Sequence, residues 1–248
     1  MGKIVAIIQA RMGSTRLPGK VMKDLCGKTV LAHDIERVKQ SKFIQEIVIA
    51  TTTSQEDDRI VKEALNNGVK VYRGSEEDVL SRYYEAAVEN NGDIVVRITS
   101  DCPLIDPFVI DSMIHCYVEN DYDLVTNAGS DLTQRTYPRG LDVEVFSFGI
   151  LKEAYENAEK AYQREHVTPY IYENSKNIFY YKNDVDYSKY RWTLDTEEDF
   201  ELIKEIYAEL YRGRHNFYFE DILCLFTRKP ELFEINKNVE QKKVENIT

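Results

Sequence analysis

The sequence predicts an α/β fold: a mostly parallel sheet with helices on both faces, followed by a less regular α+β second half. Three observations support this prediction. Short runs rich in β-branched residues alternate with amphipathic segments over the first half of the chain, as in sheets whose parallel strands are joined by helices. The length of 248 residues suits one large domain of this class. No repeat or low-complexity linker divides the chain, so a single domain spanning residues 1–248 is expected.

Four strands are expected in the first half, because four short segments are apolar and rich in valine and isoleucine. They cover residues 3–9, 46–51, 69–72 and 93–99. Residues 10–28, between the first strand and the first helix, hold glycines and a proline, which predicts a long loop.

A helix is expected after each of these strands. Leu31, Ile35 and Val38 share one face of the first helix. The second helix is expected over residues 55–67, and Gly68 provides its stop.

The third helix is expected to open with a capping box at residues 75–78. Its predicted inner face consists of Leu80, Tyr84 and Ala87. The fourth helix starts at Pro107, which suits a first helical turn, and extends to about residue 120.

The second half gives a weaker pattern. Strands are expected at residues 123–126, 141–146 and 178–182, and helices at residues 149–159, 162–174 and 196–210. The inward face of the last helix is expected to carry Ile203, Ile206, Tyr207 and Leu210. The last dozen residues are polar and are expected to fray.

Composition narrows the range of partners. The chain has 43 acidic and 32 basic residues, a formal net charge of −11, which disfavours nucleic acid or an anionic membrane as the main partner. The longest apolar run near the start, residues 4–8, is too short for a signal segment or a membrane span. The four cysteines form no C-x-x-C pair, which favours reduced thiols in a cytoplasmic protein.

The first candidate site is the loop after the first strand. Ligands of open α/β sheets bind beyond the carboxyl ends of the strands, and this loop has that position. It carries three cations, Arg11, Arg16 and Lys20, in an acidic chain. Gly13 and Gly19 allow backbone N–H groups to approach an anion closely. The loop therefore predicts phosphate binding, with a solvated basic loop as the alternative.

Two common phosphate loops do not fit this segment. A Walker A loop has four residues between its glycine and Gly-Lys-Ser/Thr, but Gly13 and Gly19 enclose five, and Val21 follows Lys20. A dinucleotide loop of the form G-x-G-x-x-G is also excluded, because no two of the eleven glycines lie two positions apart.

The second candidate site follows the fourth strand, at the same edge of the sheet. Asp101 offers carboxylate oxygen to a divalent cation, and the alternative is that it starts a turn. Asp106 is better explained as the cap of the helix at Pro107. Arg97 either reaches a bound nucleotide or points outward from its strand.

The third and fourth candidate sites lie in the second half. Asp195 and Thr196 precede a helix and can cap it, and the acidic residues 197–199 suit its first turn. Asp142 and Glu144 share a strand face with Arg139 nearby. That face either binds a polyhydroxy or charged acceptor or is the wet side of a hairpin.

A further acceptor contact is possible on a predicted helix. Arg164 lies near His166 there, and His166 either touches the acceptor or is structural.

The loop after the first strand resembles a known signature. Arg11, Ser14, Arg16, Pro18 and Lys20 have the spacing found in cytidylyltransferases that make CMP-activated sugars, among them the acylneuraminate and 3-deoxy-manno-octulosonate (KDO) enzymes. The resemblance implies a Rossmann-like nucleotide-diphospho-sugar transferase fold. It also implies a loop wrapped around the triphosphate of CTP. The nucleotide contacts would then be Ala10, Arg11, Gly13, Ser14, Arg16, Lys20, Arg73 and Arg97.

The same resemblance assigns a metal site. The D-x-P-L-I string at Asp101 is similar to the family's metal motif, and the L-D-T-E-E-D segment places Asp195 as the second carboxylate for Mg²⁺.

Later motifs are similar to one branch, the group named for spore coat polysaccharide biosynthesis protein F. They are R-G-S-E-E-D-V-L-S-R-Y-Y, P-R-G-L-D-V-E-V-F, R-E-H-V-T-P-Y-I and R-W-T-L-D-T-E-E-D-F. The resemblance covers residues 3–210 and departs from the KDO branch between residues 72 and 93. It implies an acceptor-binding and dimerisation subregion at roughly residues 128–190. The tyrosines of residues 162–190 suit either a dimer surface or a buried core.

The expected function is therefore CMP transfer from CTP to a small anionic or polyhydroxy acceptor, with release of pyrophosphate. Arg11, Arg16 and Lys20 are the expected catalytic residues, and Lys20→Ala is expected to abolish turnover while leaving the fold intact. Two alternatives remain. One is a GT-A glycosyltransferase, suggested by the D-x-D strings at residues 121–123 and 184–186. The other is a non-catalytic nucleotide-binding subunit.

Overall fold

A seven-stranded sheet forms the centre of the protein in the computed structural model, which describes residues 2–129 and 131–241. Two further short strands pair as a small hairpin. The strands are β1 (Ile4–Gln9), β2 (Asp24–Leu25), β3 (Lys28–Thr29), β4 (Glu46–Thr52), β5 (Lys70–Gly74), β6 (Ile94–Thr99), β7 (Leu124–Thr126), β8 (Glu144–Ser147) and β9 (Ile178–Tyr180).

Helices cover both faces of this sheet. They are α1 (Val30–Val38), α2 (Asp58–Asn66), α3 (Val79–Glu89), α4 (Pro107–Val118), α5 (Phe148–Asn157), α6 (Ala161–His166), α7 (Pro169–Asn174), α8 (Glu197–Leu210), α9 (Phe219–Arg228) and α10 (Leu232–Asn236). None of the helices in the described part of the chain is long and apolar enough to cross a membrane.

The strand order places the predicted loops side by side. It is β5-β4-β1-β6-β8-β7-β9, with β1, β4, β5 and β6 parallel and β8 antiparallel to its neighbours. The chain runs outward from β1 to β5 and then returns to the other side of β1 as β6. That reversal leaves a crevice at the carboxyl ends of β1 and β6, where ligands of open α/β sheets bind.

Alternation along β1 explains the two core layers. Ile4, Ala6 and Ile8 pack into one apolar cluster, while Val5 and Ile7 pack into the other. All five residues are fully buried, which accounts for the continuous apolar run of a strand that is covered on both faces. The predicted mostly parallel sheet with helices on both faces is confirmed.

The first half agrees with the sequence prediction apart from details at helix starts. The second predicted helix begins with a 3₁₀ turn, Gln55–Asp57. The third begins later than predicted, because Asp78 is its cap and accepts a hydrogen bond from the backbone N–H of Ser81. Ser75 instead accepts from the N–H of Asp78 in the preceding turn.

The second half departs further from the prediction. The predicted helix at residues 162–174 is two helices, because Val167 has a φ of +72° and Pro169 starts a new first turn. The predicted strand at residues 141–146 starts only at Glu144. Helix α9 was not predicted, although Phe219, Ile222 and Phe226 bury one of its faces. Of the predicted frayed end, residues 242–248 lie outside the described residues.

The backbone around Gly140 is packed so closely that the position has no room for a side chain. Its φ is +99°, and an added Cβ would lie 2.5 Å from the carbonyl carbon of Trp192 and 2.6 Å from the nitrogen of Thr193. Both contacts are with backbone, which cannot move aside as the tip of a flexible side chain can.

We therefore expect Gly140→Ala to lower the free energy of unfolding by about 3 kcal/mol or more, from left-handed strain and overpacking together. Gly213→Ala is the matched control. Gly213 has a φ of +83° and nothing within 4 Å of an added Cβ, so only the strain of about 1–2 kcal/mol applies. Urea unfolding of both variants measures the difference, and equal losses would contradict the role of the backbone contact.

Candidate active site

Three chain segments meet at the carboxyl ends of β1 and β6. They are the loop after β1, the loop after β6 that carries Asp101, and the segment before α8 that carries Asp195. The last two are joined directly, because the backbone N–H of Leu194 and the hydroxyl of Thr193 both donate to the carbonyl oxygen of Asp101, at 2.8 and 3.2 Å. These contacts hold the two predicted metal-binding carboxylates at one place.

Lys20 lies between the two carboxylates. Its Nζ is 2.8 Å from Oδ2 of Asp101 and 2.7 Å from Oδ1 of Asp195. The three side chains are only 14%, 22% and 14% exposed, so solvent screens these ion pairs weakly. The ammonium reaches this position because Gly19, at a φ of +66°, turns the loop into the short 3₁₀ helix that begins at Lys20.

Burial and charge act in opposite directions on this cluster. Burial lowers the pKa of Lys20, but Asp101 and Asp195 together outweigh it and raise that pKa above its ordinary value. Burial raises the pKa of Asp101, and the Lys20 ammonium, helped by the Thr99 hydroxyl, overcomes this and lowers it. Both groups therefore remain ionised at neutral pH.

Two arginines complete the charge around Asp195. NH2 of Arg16 lies 2.9 Å and NH2 of Arg191 lies 2.7 Å from its Oδ2. No sequence pattern predicted a role for Arg191. Its position four residues before Asp195 is a signal that local spacing offers, but only the fold shows that both side chains point the same way.

Asp199 fixes the position of Asp195. It is fully buried and accepts five hydrogen bonds, from the Arg191 guanidinium twice, from the backbone N–H groups of Asp195 and Thr196, and from the Asn236 amide. The structural role predicted for this residue is confirmed.

We expect Asp199→Asn to lower the free energy of unfolding by about 3 kcal/mol or more, because it removes the fully buried one of the two carboxylates that pair with the Arg191 guanidinium. Glu198→Gln is the control, since Glu198 is exposed in the same helical turn and its loss is expected to change stability by less than about 0.5 kcal/mol. Thermal and urea unfolding measure both values. If Asp199→Asn loses as little stability as the control, the structural role of the buried Asp199 carboxylate is contradicted.

The glycine-containing part of the loop after β1 is exposed to solvent. Gly13 is exposed, and within the described residues nothing accepts a hydrogen bond from the backbone N–H of Gly13 or Ser14. Arg11 lies apart from the carboxylate cluster. Its side chain is 46% exposed and reaches Glu76 at 3.5 Å. Ala10 is buried at the start of the loop, where its N–H donates to Ala50.

Arg73 stabilises the loop after β4 through three hydrogen bonds. Its guanidinium donates to the carbonyl oxygens of Thr52 and Ser54 and to the Asp58 carboxylate, at 2.9, 2.8 and 2.7 Å. These contacts hold the loop after β4 at the carboxyl edge of the sheet. A nucleotide contact by Arg73 stays a prediction.

The Arg97 side chain is only 17% exposed and pairs with Glu144 inside the protein, so the alternative of an outward-facing strand arginine is wrong. NH1 of Arg97 pairs with Oε2 of Glu144 at 2.5 Å across the register between β6 and β8. Glu144 is only 3% exposed and also accepts hydrogen bonds from Tyr172 and Thr168. The alternative of a wet hairpin face is therefore wrong for Glu144, whose carboxylate is held inside the protein.

Two of the other predicted acceptor residues, Asp142 and Arg164, are each held in an ion pair. Asp142 pairs with Arg135 at 2.5 Å, and Arg139 lies in the segment that pairs with Arg191. Arg164 binds the Asp78 carboxylate at the start of α3, with Nε 3.0 Å from Oδ2.

The last predicted acceptor residue, His166, is the final residue of α6. Asp106 caps α4, as predicted, by accepting from the backbone N–H groups of Phe108 and Val109.

The donor set suits magnesium. Residues 2–129 and 131–241 contain no group of three or more His, Cys, Asp or Glu placed to hold a metal. Mg²⁺ typically takes one or two protein carboxylates and completes its shell with substrate phosphates and water. Asp101 and Asp195 provide two such carboxylates, and they already share one cation, the Lys20 ammonium.

The comparison with protein families decides the class. A family model described as cytidylyltransferase matches residues 5–243. The chain belongs to the cytidylyltransferase family.

Two relatives match nearly the whole chain, and a third matches about half of it. An uncharacterized protein of Methanocaldococcus jannaschii is 40% identical over 99% of both chains. The spore coat polysaccharide biosynthesis protein SpsF of Bacillus subtilis is 32% identical, over 93% of this chain and 97% of that one. A 3-deoxy-manno-octulosonate cytidylyltransferase of Geobacter sulfurreducens is 38% identical over 47% of this chain and 46% of its own.

Solved structures agree with this assignment. A cytidylyltransferase from Leptospira borgpetersenii has a TM-score of 0.88 and 38% identity, covering 98% of this chain and 100% of that one. The synthetase for CMP:2-keto-3-deoxy-manno-octonic acid, solved with CTP, has a TM-score of 0.67 at 21% identity, covering 84% of this chain and 99% of that one, which shows the shared fold. The resemblance inferred from the loop signature is confirmed, and this cytidylyltransferase is a CTP-dependent nucleotidyltransferase.

Proposed function

We propose that this cytidylyltransferase transfers CMP from CTP to a sugar acid, a sugar phosphate or a phosphonate-type acceptor, with release of pyrophosphate. The supporting observation is the position of Lys20, whose ammonium spans Asp101 and Asp195 beside an open glycine loop. A cation and two carboxylates at the carboxyl edge of the sheet provide charge of both signs for a metal-bound triphosphate.

In this proposal the basic residues bind the triphosphate and the acidic residues bind the metal ion. Arg16 and Lys20 bind the triphosphate together with Arg11, and the backbone N–H groups of Gly13 and Ser14 donate to its oxygens. Asp101 and Asp195 hold Mg²⁺, which neutralises charge on the phosphates when it is bound. The protein thus contributes positioning and charge neutralisation rather than covalent chemistry.

The reaction itself is an in-line displacement. An acceptor oxygen forms a bond to the α-phosphorus of CTP, the bond from that phosphorus to the bridging oxygen of pyrophosphate breaks, and pyrophosphate leaves with the electron pair. The acceptor hydroxyl or acid releases its proton, where it carries one, to solvent.

The wider setting is part of the same proposal. We place the protein in the cytoplasm, in the synthesis of a surface polysaccharide or glycoconjugate, as a homodimer that uses roughly residues 128–190 for acceptor binding and dimerisation. The support is the overall similarity to SpsF, whose name refers to spore coat polysaccharide.

Geometry disfavours the glycosyltransferase alternative. The D-x-D string at residues 121–123 precedes β7, which runs in the same direction as β6, so the string lies at the amino edge of the sheet, opposite the candidate site. The string at residues 184–186 lies in a turn, where Asp186 accepts from the backbone N–H of Ser188.

The deciding experiment compares nucleotides and products. Calorimetric titration with CTP, UTP, GTP and ATP, each with Mg²⁺, is expected to show preferential binding of CTP. An acceptor screen on the wild type is then expected to release pyrophosphate. Release of a nucleoside diphosphate from a nucleotide sugar would replace the proposal with glycosyl transfer, and the absence of nucleotide binding would contradict the catalytic assignment.

A further inference from the structure

A small pocket lies between two parts of the chain. One part is the pair of segments that carry Arg139 and Arg191, and the other is the chain that follows α10. The volume of the pocket is about 110 Å³. We propose that this pocket, here called the anion pocket, binds one phosphate or carboxylate group of the acceptor. The inference rests on the proposed function and specifies how the acceptor is recognised.

The charge of the anion pocket is unusual for this chain. Its lining includes four cations, Arg139, Lys189, Arg191 and Lys237, and no carboxylate. Arg191 and Lys237 pair with carboxylates outside the lining, whereas Arg139 and Lys189 have no ion pair with a described residue. The chain as a whole carries 43 acidic residues against 32 basic ones. A concave site lined by one sign of charge attracts ligands of the opposite sign, so the pocket favours an anion.

The guanidinium of Arg139 has no hydrogen-bond or ion-pair partner among the described residues. Its backbone is fixed on both sides, because its N–H donates to Tyr190 and its carbonyl accepts from Trp192, at 3.1 and 2.7 Å. Its half-buried side chain makes no hydrogen bond or ion pair with any described residue. Burial and the nearby Arg135 lower the pKa of Arg139, so the charged form gains from a bound anion.

Arg191 connects the anion pocket with the catalytic carboxylates. Its NH2 lies 2.7 Å from Oδ2 of Asp195, and its NH1 donates to Oε1 of Gln241 at 2.6 Å in the pocket wall. A group bound in the pocket is therefore one guanidinium away from Asp195. One molecule can place its anionic group in the pocket and its attacking oxygen at the α-phosphorus.

The size of the pocket limits what enters it. At roughly 30 Å³ per water molecule, 110 Å³ holds about three to four waters. That space suits a single phosphate or carboxylate group and excludes a nucleoside or a whole sugar, so the body of the acceptor remains outside, toward Asp195.

The C-terminal part of the described chain forms one wall. The Asn236 amide donates to the carbonyl oxygen of Arg191 at 2.9 Å and to Asp199 at 2.8 Å. The N–H of Val239 donates to the carbonyl oxygen of Asn236, and this turn brings Gln241 back to Arg191. Helix α10 and the turn after it therefore shape the acceptor side of the site.

The test uses inorganic phosphate and acetate as probes. Each is titrated by calorimetry into the full chain saturated with CTP and Mg²⁺, so that the phosphate loop is already filled, and also into the chain alone. The wild type is expected to bind one equivalent of a probe in the loaded state, and the tighter probe identifies a phosphate or a carboxylate. Arg139→Gln is expected to weaken this binding at least about tenfold, because it removes a charge-assisted bidentate contact.

Two further variants test whether the probes bind in the anion pocket. Lys237→Ala removes a cation from the rim and is expected to weaken probe binding several-fold, even if Arg139→Gln folds poorly. Lys229→Ala removes a surface lysine that pairs with Glu209 and does not line the pocket, and it is expected to bind the probes as the wild type does.

The outcomes separate the pocket from the proposed function. Normal CTP binding with no probe binding in the loaded state, or with probe binding unchanged in both Arg139→Gln and Lys237→Ala, would overturn the anion pocket and leave the proposed function in place. Absence of CTP binding, together with probe binding that still depends on Arg139, would overturn the proposed function and leave the pocket in place.

Discussion

Lys20→Met is expected to reduce the turnover of this cytidylyltransferase by about 10³-fold and to lower its stability by about 3 kcal/mol. The first effect follows from the proposed contact with the triphosphate, since removal of one preorganised charged donor typically costs 10²–10³-fold or more. The second follows from the structure, because Asp101 and Asp195 lose the ammonium 2.8 and 2.7 Å away that compensates their charge.

This expected loss of stability differs from the prediction from sequence, in which Lys20 is removed with the fold intact. Two partly buried carboxylates close together repel each other when the cation between them is absent. Added Mg²⁺ is therefore expected to raise the melting temperature of Lys20→Met more than that of the wild type, where the ammonium competes for the same two carboxylates. Thermal melts with and without Mg²⁺ measure this difference.

Lys23→Met is the matched control. Lys23 lies three residues further along and pairs with the exposed Glu197 at 3.0 Å, so its loss is expected to change stability by less than about 1 kcal/mol. Equal behaviour of the two variants in turnover and in the Mg²⁺-dependent melt would contradict the role of Lys20 in the cluster.

Asp101→Asn is expected to weaken CTP binding in the presence of Mg²⁺ and to reduce turnover by at least about 10²-fold. The substitution removes one of the two carboxylates of the candidate metal site and half of the charge that surrounds Lys20. The pKa of Lys20 is expected to fall toward its ordinary value, because Asp101 is the larger of the two charges that raise it. Calorimetric titration of CTP with and without Mg²⁺ measures the binding change.

Asp106→Asn is the control for Asp101→Asn, because it changes a structural carboxylate in the same loop. Asp106 caps α4 and accepts from the backbone N–H of Phe219 at 2.7 Å, so its substitution is expected to lower stability by about 1–2 kcal/mol and to leave Mg²⁺-dependent CTP binding unchanged. If both asparagine variants lose CTP binding equally, Asp101 has no special role in binding the nucleotide.

The first half of the fold was predictable because its signals are local. Residues 4–8 are apolar at every position, as a strand covered on both faces requires, and β1 lies at the centre of the parallel strands. The cations Arg16 and Lys20 lie in the loop that follows that strand, so their position at its carboxyl end was predictable from sequence.

The second half was less predictable because its backbone depends on distant contacts. Val167 adopts a φ of +72° in the middle of a segment with helical pattern, which no local preference favours. Glu144 has the alternation of a half-exposed strand but is enclosed by Arg97 of β6 and by Thr168 and Tyr172, the cap and a residue of α7. An alternating pattern shows which residues share a face, and it does not show what covers that face.

The sequence by itself determined the fold class, and it predicted the phosphate loop and the two candidate metal-binding aspartates, because each depends on residue types at short spacing. Tertiary structure alone decided which charges pair. Lys20 and Asp195 are 175 positions apart, and Arg191, Asn236 and Gln241 join the site only because α10 packs against α8 and the segment before α8 bonds to the loop after β6. Long-range ion pairs depend on how the chain folds back on itself, which no short segment of sequence encodes.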